Sequence, residues 1–163
     1  MAIRVEITKR NDGGGVLKCI RADGSETWQK QTDRHAAFFA LHDLTHFAVE
    51  SELDIRDAFF GLIAAGWSIE DTTGKGTRGA LPPGAIFVEH IVGTLDAERG
   101  SGSRWSADEF NETLARSARN AGWTVPRPLT DNDLAGIRKR RAELFDRWHA
   151  IPEGRRLELT FPP

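Results

Sequence analysis

Ile3-Arg4-Val5-Glu6-Ile7-Thr8 opens the chain with apolar and polar residues in alternation, and Asn11-Asp12-Gly13-Gly14-Gly15 separates it from a second extended run, Val16 to Ala22. A period of two puts Ile3, Val5 and Ile7 on one face of a strand, and the glycine-rich break reads as a turn, so the segment predicts a β-hairpin. Asp23-Gly24 makes a second turn into Ser25 to Lys30, where Thr27 and Trp28 suit a third strand of an antiparallel meander. At the far end of the chain, Arg155 to Phe161 alternates again through Leu157, Leu159 and Phe161 and predicts a fourth strand. A sheet with one apolar face must be covered, and the middle of the chain offers helices to do it. The fold class that follows is α+β: one domain over residues 1–163, with a small antiparallel sheet, N-terminal meander plus C-terminal strand, packed against about five α-helices.

The first helix is expected to start at Thr32 or Asp33, both competent N-caps, and to run to about Ser51 with apolar residues almost all round it. A second is expected from Asp54 as N-cap to a stop at Gly66. Asp71 to Gly84, rich in Gly and Pro, reads as a flap or linker. Pro82 and Pro83 suit the opening of a third helix through Leu95, with loop resuming over Glu98 to Ser103. Ser106-Ala107-Asp108-Glu109 is a capping box for a fourth helix that ends at Gly122, and Thr130-Asp131-Asn132-Asp133 launches a fifth through Trp148.

Composition narrows the function classes. The 163 residues, 39% hydrophobic, suffice for a core without disulfides, and Cys19, the single cysteine, has no internal partner. A formal charge of −2 gives no electrostatic reason to expect nucleic acid or an anionic membrane, which leaves a small-molecule ligand or a protein as partner. No stretch reaches the roughly 18 apolar residues of a spanning helix, and the N-terminus lacks a secretion signal, so the expected location is cytoplasmic.

Chemistry concentrates in His42-Asp43-Leu44-Thr45-His46-Phe47-Ala48-Val49-Glu50. A step of four advances about 40° around a helix, so His42 and His46 share a face and can grip one ion. Divalent zinc, iron and nickel all accept neutral imidazole, and zinc heads the expected divalent transition metals. Glu50 continues the spacing and is a third ligand by that criterion. Eight residues span about 12 Å of straight helix, however, so the same carboxylate also suits a role behind His46, accepting its ring N–H. A further ligand is expected from another helix, with Glu89 and His90 on opposite flanks of the third and Glu70 and Asp71 after the second. The candidate set is therefore His42, His46, Glu50 and His90 for metal, with Asp43 as catalytic base. His35 lies on the same stripe, and His149 ends the fifth helix, where a cation favours the macrodipole.

His42-Asp43-x-x-His46 resembles the H-E-x-x-H signature of zincin metalloproteases, with aspartate in place of the glutamate base, one methylene shorter. It is also similar to the H-D-x-x-H zinc motif of a helical family of ubiquinone-biosynthesis proteins. That family places a glutamate where this chain has Ala58. The whole nine-residue pattern looks like that of small bacterial proteins of undefined function carrying a His-Asp-x-x-His-x-x-x-Glu helix. What these resemblances imply is a zinc-type site on the first helix, with no reaction attached.

Gly74-Lys75-Gly76-Thr77-Arg78-Gly79 satisfies G-x-G-x-x-G but has no strand before it and no helix opening from its last glycine. Arg138-Lys139-Arg140-Arg141 sits among acids and reads as a solvated helical face. The reading that results is a metal-binding protein, with metal-dependent hydrolysis of a small molecule as its reaction class. The alternative is a non-catalytic protein-interaction domain whose histidines satisfy one another in the core.

Overall fold

The computed structural model describes residues 1–31 and 35–163. Alternation becomes four antiparallel strands: β1 (Ile3–Lys9), β2 (Gly15–Ile20), β3 (Glu26–Lys30) and β4 (Arg156–Phe161), in the order β3-β2-β1-β4. β4 pairs with β1 through Ile3 opposite Phe161 and Val5 opposite Leu159, so the two ends of the chain meet in the sheet. Ile3, Val5, Ile7, Leu17, Cys19, Leu157, Leu159 and Phe161 are buried on one face. Burial pushes the Cys19 thiol up to about 12, nearby Asp43 adds to it, and the thiol stays protonated.

The helices are α1 (Ala36–Leu53), α2 (Phe59–Ala64), α3 (Pro83–Ser101), α4 (Ala107–Asn120) and α5 (Asp131–Ala150). Among the described residues, none is long and apolar enough to cross a membrane. α1 is the axis of the molecule, with apolar residues almost all round it as its sequence indicates. Its Ala40, Leu44 and Phe47 join Leu144 and Trp148 of α5 against the sheet, while Val49 joins α3, α4 and the start of α5 in a second cluster around Val88, Ile91, Leu114 and Ile137. The proposed N-caps Thr32 and Asp33 lie outside the described residues. Both expected capping boxes form, with Ser106 and Glu109 reciprocally bonded at α4 and Thr130 and Asp133 at α5.

Two boundaries differ from the sequence expectation. Asp54 does not cap α2; it takes a left-handed conformation (φ 55°) at the C-terminus of α1, its amide donating to the Glu50 carbonyl. α2 begins five residues later, after Ala58, and has no capping side chain of its own. Its first amides find an acceptor elsewhere: Phe60 and Gly61 donate to Glu50 Oε2 at 2.9 and 3.2 Å. The third helix also runs through Glu98 to Ser101 instead of stopping, because Glu98 is buried (4% exposed) against Arg138 of α5, a partner that local sequence does not reveal.

The segment after α2 is organised rather than featureless. Asp71 accepts from the amides of Ser68 at 2.9 Å and Thr77 at 3.0 Å, folding the glycine-rich loop around one carboxylate. Hydrogen bonds from Ser68 and Thr77 hold that carboxyl below its ordinary value.

Gly61 fixes how closely α2 approaches the preceding loop, since a Cβ there would collide with the Arg56 carbonyl. Gly61→Ala is therefore expected to lower stability by about 1–3 kcal/mol, the range for overpacking a tight contact. A denaturant midpoint equal to wild type would show that α2 has room to move.

Candidate metal centre

α1 presents His42 and His46 one turn apart, and α3 crosses so that Glu89 meets them. His46 Nε2 lies 3.2 Å from His42 Nε2 and 3.3 Å from Glu89 Oε1. The ligand atoms of the three residues all fall within 4.8 Å of one another. Two donors each about 2.0–2.2 Å from a tetrahedral zinc ion are themselves about 3.3–3.5 Å apart, so the spacings suit one shared ion. Two imidazoles and a carboxylate form the three-donor set that leaves a coordination position for a ligand. His46 is buried, whereas the His42 and Glu89 side chains are 25% and 56% exposed. The cluster is thus anchored in the core and open on one side.

Each imidazole turns its other nitrogen to a carboxylate. His42 Nδ1 lies 3.5 Å from Asp96 Oδ2, and His46 Nδ1 lies 3.6 Å from Glu50 Oε1. A carboxylate behind an imidazole is the arrangement that orients a metal-binding ring and raises its basicity; the His42–Asp96 contact is a long hydrogen bond, and His46 Nδ1 and Glu50 Oε1 stand just beyond that distance. Phe38 and Phe59 flank the pair, each with its ring centroid 5.6 Å from one imidazole.

The structure separates the residues that sequence grouped. His42 and His46 come together, and the partner from α3 is Glu89. His90, about 100° further round that helix, stacks on Trp123 at 5.4 Å with Nδ1 3.2 Å from Ser117 Oγ, facing α4. Glu50 is not among the grouped donors. It sits behind His46, fully buried, with its second oxygen committed to the amides of α2. His35 precedes α1 outside the three-residue cluster, and His149 is exposed in the last turn of α5. Asp96 is not among the residues that the histidine spacing singles out. Its signal was there: Asp96 is seven residues after Glu89, about 20° away on the same face of α3.

Asp43 faces a cavity that His42 also lines. Gln31 Nε2 donates to its Oδ2 at 2.7 Å, and both residues line this cavity of about 330 Å³ with Gln29, Lys30, Phe39, His42 and Thr73. Burial pushes the Asp43 carboxyl up to about 6, against the opposing pull of His46, His42 and the Gln31 hydrogen bond. A carboxyl titrating there can both take and return a proton near neutrality.

Charge is concentrated around His46. Burial disfavours its imidazolium, but the carboxylates of Glu50 and Glu89 beside it outweigh that and raise it to about 10. Burial raises Glu50, while His46 and the two amides pull it the other way; Glu89 is held below its ordinary value, where His46 outweighs partial burial. In the metal-free chain, the imidazolium–carboxylate pairing stabilises the fold fully below the ring's ordinary value of 6.5 and fades as pH rises through about 10. An ion needs the neutral ring and must displace that proton.

The chain matches no family model, and no curated protein or solved structure shows significant similarity to it. The geometry of the cluster has two measurable consequences. Zinc uptake near pH 7 is expected to release about one proton per chain, tightening as pH rises, measured by calorimetry in buffers of different ionisation enthalpy. Asp96→Asn is expected to weaken zinc about 10–100-fold in a chelator competition without loss of secondary structure. Unchanged affinity would remove Asp96 from the site.

Proposed function

We propose that the protein is a metal-dependent hydrolase of a small molecule, with His42, His46 and Glu89 holding a divalent transition metal, zinc foremost. The observation that carries this reading is the convergence of two imidazoles and a carboxylate at ion-sharing distances, with a carboxylate behind each ring. A divalent ion held there supplies Lewis acidity to a substrate and to water. Around it the chain's own groups have separate tasks. Glu50 and Asp96 fix the rings. Gln31 holds Asp43 through Oδ2 and orients the carboxyl for proton transfer. The cavity beside His42 and Asp43, about 330 Å³, is of a size for a small molecule. Asp43 stands where the zincin signature has its glutamate base, and this similarity supports the same assignment of roles.

The deciding experiment is elemental analysis of the purified protein, followed by assay of the metal-loaded form on small esters, amides and phosphoesters. Near-stoichiometric metal is expected in wild type and in His90→Ala, and its loss in His42→Ala/His46→Ala and in Glu89→Gln. Hydrolysis is expected to fall about 10²–10⁴-fold in Asp43→Asn at unchanged metal content. A wild-type chain that neither carries nor takes up zinc, iron or nickel would overturn the metal reading. Full metal with no turnover of any substrate would overturn the hydrolase and leave a metal-binding domain.

A further inference from the structure

The basic run Arg138-Lys139-Arg140-Arg141, expected as a solvated face, is divided by the fold. Arg140 lies over the Phe47 ring at 5.8 Å and near Glu143. Arg138 and Arg141 turn instead toward the C-terminal half of α3. There a cleft of about 380 Å³ is lined by Glu98, Arg99, Gly102, Ser103, Arg104, Arg138 and Arg141. Four guanidiniums meet one carboxylate.

That carboxylate is already engaged. Glu98 pairs with Arg138, with Nε at 3.2 Å from Oε1, and accepts the Trp105 amide at 3.0 Å. Arg138 also donates to the Trp105 carbonyl at 2.9 Å, so this pair forms a fixed floor with its charge cancelled. The other three arginines make no ion pair with any described residue. Arg141 is partly buried, and the hydrogen bond it makes is a long one, 3.3 Å to the Leu95 carbonyl. Arg99 and Arg141 both lie against the Phe145 ring, at 5.9 and 5.7 Å from its centroid, which brings two like charges to one aromatic surface. Burial holds the Arg141 guanidinium below its ordinary value; Asp96 and Glu98 oppose this, and Arg99 and Arg138 add to it. Asp96 itself is turned to His42. The carbonyl end of α3 accounts for about half a charge of this attraction, well short of three unpaired guanidiniums.

We propose that this cleft between α3 and α5 binds a small phosphate-type oxyanion, gripped by Arg99, Arg104 and Arg141 over the Glu98–Arg138 floor. Planar guanidinium forks match the oxygens of such an anion in pairs, and an anion relieves the repulsion between Arg99 and Arg141. The cleft is open and shallow enough to admit inorganic phosphate or a small phosphomonoester. The site is separate from the metal centre and does not depend on it.

The test is calorimetric titration of the full chain with inorganic phosphate, methyl phosphate and, as control, chloride. Saturable binding of phosphate or methyl phosphate is expected, weakening with ionic strength and unaltered in His42→Ala/His46→Ala. The tighter of the two identifies a free or an esterified anion as the natural ligand class. Arg141→Gln is expected to lower affinity at least tenfold. Since Arg141 is partly buried, Arg99→Gln/Arg104→Gln, at exposed positions, provides a second variant with the same expected loss and unchanged thermal stability. Absence of saturable binding, binding equal to wild type in both arginine variants, or binding lost only in the histidine variant would each overturn the assignment.

Discussion

The carboxylate of Glu50, with no exposure to water, is the group on which the surrounding structure depends. An isolated buried carboxylate costs several kcal/mol, and this one is offset from two directions: by the first amides of α2 and by the imidazole of His46. One side chain thereby caps a helix that has no cap of its own and holds the ring that two other residues share. Helix placement and site geometry are consequently the same constraint. α2 can be short and irregularly entered because α1 supplies its N-terminal acceptor, and His46 can be buried because α2 neutralises what stands behind it.

α3 carries a comparable division of labour in its acids. Glu89 reaches the histidine pair, Asp96 stands behind His42, and Glu98 turns away to Arg138. Successive acids on one helix thus serve three neighbours because each step in sequence rotates the side chain by a fixed angle. Formal charge on the whole chain says little about such an arrangement. A net −2 is compatible with a local excess of guanidinium at one end of α3 and of carboxylate around His46.

Much of this was legible in the sequence wherever the signal was local. Alternation in Ile3–Thr8 and Leu157–Phe161 identified the strands, and the boxes at Ser106 and Thr130 identified two helix starts, because a strand face and an N-cap are each specified within a few residues. The His42–His46 spacing likewise carried a shared face. What sequence could not convey was contact between helices. Glu89 and His90 are adjacent, and only the way α3 crosses α1 selects the first and delivers the second to Trp123. Asp54 looked like an N-cap because its residue type fits one, yet the acceptor for α2 is a side chain ten residues before Phe60. Glu98 read as loop because its stabilising partner lies forty residues away.

The sheet order adds a point about how the chain reaches this state. β1 is flanked by β2, its neighbour in sequence, and by β4, separated from it by α1 to α5. The hairpin can close at little entropic cost, whereas the β1–β4 pairing has to wait until the intervening segment has compacted. Until then β1 presents an open row of amides and carbonyls beside Ile3, Val5 and Ile7, an edge able to recruit a strand from another chain. Assembly of the helices around α1 is therefore also a race: the sooner they bring residues 156–161 back to β1, the shorter the time in which the nascent sheet is open to wrong partners.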